Sequence, residues 1–460
     1  MSSLWRRKGP SPPPEPPAAM QYLSVTGLRE PGTVVTAQAR SPDGQIYSGT
    51  RDWNFPAIGR FAFRIPDAER RLGALVTVQI EAPGFRVALV ERAIGAGSHE
   101  WAGVALELVA PPLERLVIDG TTWRISAGRW RWQGVTAFRL IELVARGERG
   151  RAEAYLGEMV AAGVTLVRVL TRARHLFDLP FEVGLAHLAE TAALARAADV
   201  WMEVVGLADT RETDPATWRT QLAGLGAIAN DAPGLIVEVA NEPDHATQAG
   251  LLRDPGQLAA LAALLPTVVP VAYGAAHGPD DESRAYVGGD YVTVHGDRAE
   301  GDDGWRWVRH TNEQRALMEE IGKPVVNDEP SRDMADPAKH LALGAFCALF
   351  GLGDTFHYAS GRDAQLPFGD EIACFAARRR GWAAIPIDWT GTYQNAGFAD
   401  SPVKSFNGAV RSYSSIAGGA GYTLAFGIGP DFSIEWRAPW TVRDIVIDDA
   451  TVKLWKVGRT

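Results

Sequence analysis

Between about residues 130 and 390, short runs of β-forming residues alternate with longer runs that have helical spacing. The strand-like runs include "VTLVRVL", "VWMEVVGL", "LIVEVAN" and "PVVNDE", and a typical helical run is "VGLAHLAETAALARAAD". With "RWRWQGV" as the first strand, eight strands fit into roughly 260 residues, the usual length of a (β/α)8 barrel. Alternating strands and helices also favour parallel pairing. The pattern therefore predicts an α/β fold, a (β/α)8 TIM barrel.

The regions on either side of this alternation carry the two-residue pattern of antiparallel strands. A Pro-Asp-Gly turn at 42–44 and a Pro-Gly turn at 83–84 separate alternating runs, which predicts an N-terminal antiparallel β-sandwich. Alternating apolar residues and glycine turns return after about residue 400 and predict a small C-terminal β-sheet domain. The stretch "GPSPPPEPPA" predicts a stiff lead outside any core. The expected domains are the proline-rich lead at 1–20, the sandwich at 21–112, the barrel at 113–395 and the C-terminal domain at 396–460.

Charge and cysteine content argue against two classes of protein. The chain has 46 Lys and Arg against 55 Asp and Glu, a net charge of −9, and it has no long basic stretch. Nucleic acid is therefore not an expected partner. Cys347 and Cys374 stand in apolar, helix-like surroundings, which favours buried thiols over a disulfide scaffold.

The N-terminal residues lack the pattern of a secretory signal. Their basic residues are followed by prolines instead of a continuous apolar core, and no later run is long enough to span a membrane. We therefore expect no membrane insertion and a location in the cytoplasm or within a virion or surface assembly. In the second case, the N-terminal region would dock the protein to the larger assembly.

Two glutamates come at the ends of strand-like runs. Glu242 follows the fourth run and Glu329 follows the seventh. The active sites of (β/α)8 barrels lie at the C-terminal ends of the strands, so these two should meet across one mouth. Two carboxyl groups about 5–5.5 Å apart are the apparatus of a retaining glycosidase. The competing interpretation of Glu242 is a helix cap, since acidic residues favour helix N-termini.

The barrel region resembles glycoside hydrolase clan A, a group of retaining enzymes with Asn-Glu-Pro on strand four and a second Glu on strand seven. Asn241, Glu242 and Pro243 match the first motif, and "KPVVNDEP" matches the second, with Lys-Pro before Glu329 at the spacing of many members. The resemblance implies that Glu242 is the acid/base and Glu329 the nucleophile. It also implies that Asn241 binds the sugar 2-hydroxyl. The motifs indicate no particular family within the clan.

Further substrate-binding candidates come from the ends of other strands. Arg168 on strand two is similar to an arginine that relatives place beneath the nucleophile, and His295 on strand six is like a histidine found near it. On strand eight, relatives often carry a Trp, whereas this chain offers Phe356, His357 and Tyr358. A tryptophan just after strand six is better placed for stacking on a sugar. The substrate-binding candidates are thus Asn241, Arg168, His295, Trp305, His357 and Tyr358.

Other acidic and aromatic side chains have a structural interpretation. Glu238 shares strand parity with Glu242, so it should face the barrel interior and pair with Arg168; Glu203 on strand three is expected to do likewise. Strict alternation places Asp328, the rival acid on strand seven, on the face opposite Glu329. Three tryptophans near the first strand are expected to pack in a core: Trp123, Trp130 and Trp132.

Metal and cofactor chemistry find no support in the sequence. The first strand lacks a His-x-His pair, and the other histidines do not cluster along the chain. Neither a glycine-rich phosphate loop nor a Gly-x-Ser-x-Gly elbow stands between a strand and a helix. We therefore expect neither a metal nor another cofactor.

The expected function is that of an O-glycosyl hydrolase, a retaining glycosidase that degrades a glycan or glycoside by double displacement. In this mechanism the negative charge of Glu329 would raise the pKa of Glu242. The alternative is a carbohydrate-binding or structural protein, for example in a virion or surface assembly, whose glycosidase-like barrel only recognises a glycan.

Overall fold

The computed structural model describes most of the chain outside the N-terminal lead. The described residues are 19–26, 36–51, 59–65, 71–81, 88–96, 99–105, 113–173, 179–277, 282–296, 304–330 and 335–460. Contacts between residues divide the chain into two compact units, residues 1–111 and 112–460. The proline tract at 10–17 and the Pro-Gly turn at 83–84 lie outside the described residues.

The first unit contains one seven-stranded sheet. Its strands are β1 (Ala19–Thr26), β2 (Thr36–Arg40), β3 (Ile46–Arg51), β4 (Gly59–Ile65), β5 (Leu75–Glu81), β6 (Ala88–Ala93) and β7 (His99–Ala105), in the order β6-β5-β2-β3-β4-β1-β7. The pairing is antiparallel except between β1 and β7. Side chains from both ends of the sheet, such as Val78 and Trp101, share one core. The predicted antiparallel β-structure of this region is confirmed, and its strands form one continuous sheet.

Eight parallel strands form the centre of the second unit. They are β11 (Gln133–Thr136), β12 (Leu166–Leu170), β13 (Trp201–Leu207), β14 (Leu235–Ala240), β15 (Val271–Ala272), β16 (Val292–Val294), β17 (Val325–Asn327) and β18 (Gly353–Phe356). Their order is β15-β14-β13-β12-β11-β18-β17-β16, so β15 and β16 are the two edges. Asp290 bridges these edges, because its backbone N–H donates to the Val271 carbonyl over 2.7 Å. The predicted (β/α)8 barrel is confirmed.

Helices surround the barrel. They are α1 (Leu140–Ala145), α2 (Arg149–Ala161), α3 (Phe181–Ala198), α4 (Pro215–Asp231), α5 (Pro255–Ala262), α6 (Arg306–Ile321), α7 (Pro337–Phe350) and α8 (Asp370–Ala383). Helices α4, α5 and α7 begin alike, with an aspartate cap followed by proline at the first position. The free cysteines are buried on α7 and α8, as predicted. None of the helices within the described ranges has both the length and the apolar character that crossing a membrane requires.

Aromatic side chains close the N-terminal end of the barrel. A small sheet of β8 (Val117–Asp119), β9 (Thr122–Ile125) and β10 (Gly128–Trp130) precedes the first barrel strand, with an Asp-Gly turn between β8 and β9. Trp123, Trp130 and Trp132 pack there with Trp201 and Tyr291. The packing role of the three tryptophans is confirmed. The run "RWRWQGV" is split, since Trp130 belongs to the small sheet and the barrel strand starts at Gln133.

Two antiparallel sheets complete the second unit. Strands β19 (Thr392–Asn395), β21 (Arg411–Ala417), β22 (Ala420–Phe426), β24 (Trp440–Asp448) and β25 (Val452–Arg459) form one, in the order β19-β21-β22-β25-β24, and β20 (Val403–Asn407) pairs with β23 (Ser433–Trp436). Leu424 and Leu454 of the larger sheet share a core with Phe346 of α7. The predicted C-terminal sheet is present. It starts at Thr392, and the boundary at 395/396 stays a prediction because both parts lie in one compact unit.

Candidate active site

Glu242 stands at the C-terminal end of a fully buried strand. Every residue of β14 is buried, and Glu238 faces the barrel interior as its parity predicts. Glu242 has a left-handed backbone with φ of +43°, which costs a residue other than glycine about 1–2 kcal/mol. Two hydrogen bonds hold this turn: His245 N–H donates to the Glu242 carbonyl over 2.9 Å, and Gln248 Nε2 donates to the Asn241 carbonyl. The carboxyl group is therefore fixed at the mouth of the barrel.

Glu329 reaches the same mouth from the end of β17. The ladder of β17 stops at Asn327, and Val326 packs in the core at the barrel floor. By alternation Asp328 also points inward, where it is fully buried, and Glu329 follows on the rim. The expectation that Asp328 faces away from the site is wrong, because the strand pattern ends before Glu329 and no longer sets its direction.

The two glutamates lie close together. A carboxylate oxygen of Glu242, one of Glu329 and a ring nitrogen of His295 all lie within 4.8 Å of one another. Both carboxyl groups are largely buried, with 11% of the Glu242 side chain and 8% of the Glu329 side chain exposed. The expected meeting of the fourth and seventh strand ends is therefore present.

Arg168 on β12 supports Glu329 from below. Its buried guanidinium donates from Nη1 to Glu329 Oε1 over 2.6 Å and from Nη2 to Asn241 Oδ1 over 2.9 Å. Three further carboxylates surround it, with the nearest N–O distances being 2.6 Å to Glu238, 3.1 Å to Asp328 and 3.4 Å to Glu203. The expected pairing with Glu238 is confirmed. The one guanidinium of Arg168 thus contacts four carboxylates at the floor of the site.

Burial, together with the mutual repulsion of the carboxylates, changes the protonation of this cluster. Burial raises the pKa of Glu238 to about 8 even though Arg168 opposes the rise. Burial also raises the pKa of Glu203, together with the charge of Glu238, and Tyr291 donates to Glu203 Oε1 over 2.8 Å. The Asp328 pKa is raised by burial as well. The cluster therefore retains protons on some of its carboxyl groups at neutral pH.

His295 at the end of β16 connects the two candidate catalytic groups. Its Nδ1 donates to Glu242 Oε1 over 2.9 Å, and its Nε2 lies 3.6 Å from Asp328 Oδ1 and 3.8 Å from Glu329 Oε1. Burial lowers the pKa of this imidazole, but the charges of Glu329 and Asp328 and the bond to Glu242 outweigh it and raise the pKa to about 9. His295 is therefore a cation at neutral pH.

The hydrogen bond between His295 and Glu242 lowers the pKa of Glu242, which was expected to be raised. Burial raises the pKa of this carboxyl group, and the charge of Glu329 acts in the same direction. The hydrogen bond and positive charge of His295, with a further contribution from His277, outweigh both and lower the pKa to about 2. The expectation of a raised Glu242 pKa is thus wrong for this arrangement, in which the proton is on His295.

Strand eight divides its candidates between two faces. His357 points inward, with Nδ1 2.8 Å from Thr136 Oγ1 and Nε2 3.9 Å from Glu329 Oε2. Tyr358 points outward, where its ring stacks on Phe356 and its hydroxyl donates to the Gln365 carbonyl over 2.9 Å. Because successive residues alternate in direction, only His357 joins the site, and the expectation that Tyr358 binds substrate is wrong.

Trp305 lies in a protein core instead of a sugar subsite. Its ring is 5.4 Å from that of Phe426 on β22, and it packs with Val308 of α6 in the core shared with the C-terminal sheet. Only 9% of the residue is exposed. The expectation that Trp305 stacks on a sugar is wrong, since the C-terminal sheet covers the ring.

Two histidines that the sequence analysis did not single out also reach the mouth. His277, in the loop after β15, places Nδ1 3.0 Å from Glu242 Oε1. Its ring lies 4.3 Å from that of His245, which follows the Asn-Glu-Pro motif. Gly274 permits this approach, because a Cβ there would lie 2.1 Å from the Ala240 carbonyl oxygen and its φ is +134°. His277 stands a few residues beyond a predicted strand end, which is the only signal the sequence offers.

Comparison with known proteins first gives the class of fold. No family model matches the chain, and no curated protein matches it either. Among solved structures it is similar to a glycoside hydrolase with a TM-score of 0.52 and 12% sequence identity, over 75% of this chain and 97% of that one. At this identity the similarity establishes a shared fold.

Two other similar structures have more specific names. One is a glycoside hydrolase of family 5 from Bacteroides vulgatus, with a TM-score of 0.49 and 10% identity over 75% of this chain and 93% of that chain. Another is the β-glucanase SdGluc5_26A from Saccharophagus degradans, with a TM-score of 0.46 and 12% identity over 59% of this chain and 93% of that chain.

Proposed function

We propose that this protein is a retaining O-glycosyl hydrolase that acts on a glycan or glycoside. The observation that carries the proposal is the approach of Glu242 and Glu329 within 4.8 Å at the ends of β14 and β17. A retaining mechanism needs carboxyl groups about 5–5.5 Å apart, whereas an inverting one needs about 6.5–9.5 Å to admit a water molecule. The spacing therefore favours double displacement.

Glu329 is the nucleophile in this proposal. Its carboxylate attacks the anomeric carbon, so that the Glu329 C–O bond forms as the bond to the leaving oxygen breaks. The 2.6 Å contact with Arg168 favours the ionised carboxylate that this attack needs. Asn241, held by Arg168 at 2.9 Å, is the group that binds the sugar 2-hydroxyl.

Glu242 and His295 together supply the proton. In the resting site the proton is on His295, so it crosses the 2.9 Å hydrogen bond to Glu242 as Glu242 protonates the leaving oxygen. The glycosyl-enzyme then has a neutral, esterified Glu329, and its lost charge lowers the pKa of both Glu242 and His295. Glu242 can then take a proton from water, whose oxygen attacks the anomeric carbon and releases Glu329.

The test compares wild type with Glu329→Ala and Glu242→Ala on a panel of aryl glycosides and polysaccharides. We expect release of aglycone or reducing ends by wild type and near-complete loss in both variants. A 2-deoxy-2-fluoro glycoside with a good leaving group should label Glu329, which mass spectrometry of a digest detects. Glu320→Gln is the control, because Glu320 is an exposed residue of α6 paired with Arg284.

A different result would favour the alternative function. If wild type binds a glycan but releases no reducing ends from any substrate, a carbohydrate-binding or structural role replaces catalysis. Labelling of Asp328 instead of Glu329 would overturn the assignment of the nucleophile while keeping the reaction class.

A further inference from the structure

Glu242 belongs to a second group of side chains that faces outward from the carboxylate pair. Glu242, His245 and His277 each place one metal-ligating atom within 4.8 Å of the other two. Nitrogen and oxygen ligands lie about 2.0–2.2 Å from a zinc ion, so tetrahedral neighbours are about 3.4 Å apart. His277 Nδ1 and Glu242 Oε1, at 3.0 Å, are already close to this separation.

We propose that Glu242, His245 and His277 bind a divalent transition ion such as Zn²⁺, and that the bound ion blocks glycoside cleavage. The first half concerns ion binding alone. The second half rests on the proposed function, in which Glu242 moves the proton. The proposal departs from the expectation of no metal, because the fold joins histidines that are 32 positions apart in the chain.

The backbone holds two of the ligands in place before any ion arrives. The hydrogen bond from His245 N–H to the Glu242 carbonyl folds the histidine back over the glutamate. The His277 N–H donates to Asp244 Oδ1 over 2.8 Å, which ties the loop after β15 to the loop after β14. The site therefore needs little rearrangement of the main chain.

The donor set suits zinc and its neighbours among the transition metals. Two imidazoles and one carboxylate bind catalytic zinc in known enzymes and leave a coordination position open to water. His245 Nδ1 lies 2.8 Å from Thr247 Oγ1 and accepts from the Thr247 N–H over 3.3 Å, and these two contacts fix the orientation of the ring. The His277 side chain is 49% exposed, so an ion reaches the site from solvent.

Ion binding and proton transfer compete for one carboxyl group. Coordination to a dication occupies a lone pair of the Glu242 carboxylate, so the coordinated group cannot protonate the leaving oxygen or accept a proton from water as the free carboxyl group does. A Zn²⁺ ion at this site would therefore stop both the protonation of the leaving oxygen and the deprotonation of water. The glycosidase would be active when metal-free and inhibited when zinc is bound.

Ion binding is tested on the full chain in the absence of substrate. After dialysis against EDTA and then metal-free buffer, calorimetric titration with zinc chloride should show one site per chain. His245→Ala and His277→Ala should each weaken it by about tenfold or more. His187→Ala is the matched control, since this histidine lies on α3 near Glu190 and should leave affinity unchanged. Equal affinity in wild type and both site variants would overturn the proposal.

A second measurement distinguishes the loss of metal ligands from misfolding of the variants. Cobalt chloride added to wild type should produce the visible absorption of a four- or five-coordinate site, and far-UV circular dichroism should show that both variants retain the fold. Folded variants that keep the wild-type cobalt spectrum would exclude these histidines as ligands. Folded variants that lose it would support the site.

Inhibition is tested with any aryl glycoside that the protein cleaves. Zinc should inhibit wild type, and EDTA should restore the rate. In both site variants the inhibition constant for zinc, measured against each variant's own metal-free rate, should be about tenfold or more higher than in wild type. Binding without inhibition overturns the second half of the proposal alone. A protein that binds zinc but cleaves no glycoside refutes the proposed function and supports the ion site.

Discussion

Replacing Arg168 by methionine removes the only cation that touches four carboxylates in the described floor of the site. The guanidinium is completely buried, and methionine replaces the aliphatic stem of arginine without its charge or donors. Four acidic side chains lose their contacts to it: Glu203, Glu238, Asp328 and Glu329.

The size of the effect follows from burial and from proton uptake. Removing one partner of a buried ion pair costs about 3–5 kcal/mol. The cost is not four times this value, although four ion contacts are lost, because the acids respond by taking up protons. The pKa of Glu238 is already about 8 with Arg168 in place. We therefore expect the free energy of unfolding of Arg168→Met to be lower than that of wild type by about 3–5 kcal/mol at neutral pH.

The deficit should depend on pH with a definite sign. Removing Arg168 raises the folded-state pKa values of Glu203, Glu238 and Asp328 further, because its charge lowers all three in wild type. An acid whose pKa is higher in the folded than in the unfolded protein costs no stability below its ordinary pKa of 4.5. As the pH rises from 4.5 toward the pKa of the folded state, the free energy of unfolding falls. Arg168→Met should consequently lose less stability at about pH 5 than at about pH 8.

The assay is denaturant unfolding followed by tryptophan fluorescence at both pH values, with linear extrapolation to water. Arg149→Met is the matched control, because Arg149 and Glu153 form a solvent-exposed pair on α2 whose loss should change the free energy of unfolding little. If Arg168→Met unfolds within about 1 kcal/mol of wild type at neutral pH, the view that Arg168 holds the carboxylate cluster together is refuted.

Three further outcomes are expected. Glu242→Gln should lower kcat by about 10²–10⁴-fold for aryl glycosides with poor leaving groups and much less for those with good ones, and equal losses would argue against a general acid. In EDTA-containing buffer, the pH profile of kcat/KM should fall as pH rises through about 9, where His295, faced by Glu242, Asp328 and Glu329, loses its proton; His295→Asn should lack that limb. Trp305→Ala should lower the free energy of unfolding by about 3–5 kcal/mol in thermal or denaturant unfolding and leave KM unchanged. A raised KM would instead indicate that Trp305 contacts the sugar.

Strand periodicity is the part of the structure that the sequence carries most directly. The run from Leu235 to Ala240 is buried on both faces, so its composition alone marks a strand of a parallel sheet. Its parity also places Glu238 in the interior beside Arg168. Such predictions succeed because direction alternates regularly as long as the ladder continues.

Predictions failed where regular structure ends. Asp328 and Glu329 follow the last paired residue of β17, so alternation no longer separates the two side chains, and both contact Arg168. The pKa of Glu242 depends on His295 from a different strand, a contact that spacing along the chain does not encode. Trp305 was misassigned because the C-terminal sheet that covers it is distant in sequence.

The packing of α7 has a consequence for how this protein could change during evolution. Both sides of this helix are covered, one by the barrel and one by the C-terminal sheet, and buried residues run along nearly its whole length. An outer helix of a barrel normally keeps a solvent-facing stripe that tolerates drift and insertion. Here the sheet removes that freedom, so the residues from Thr392 onward cannot be exchanged as an independent module. Loss of the sheet would expose the apolar residues of α7 to water, so we expect barrel and sheet to be inherited together.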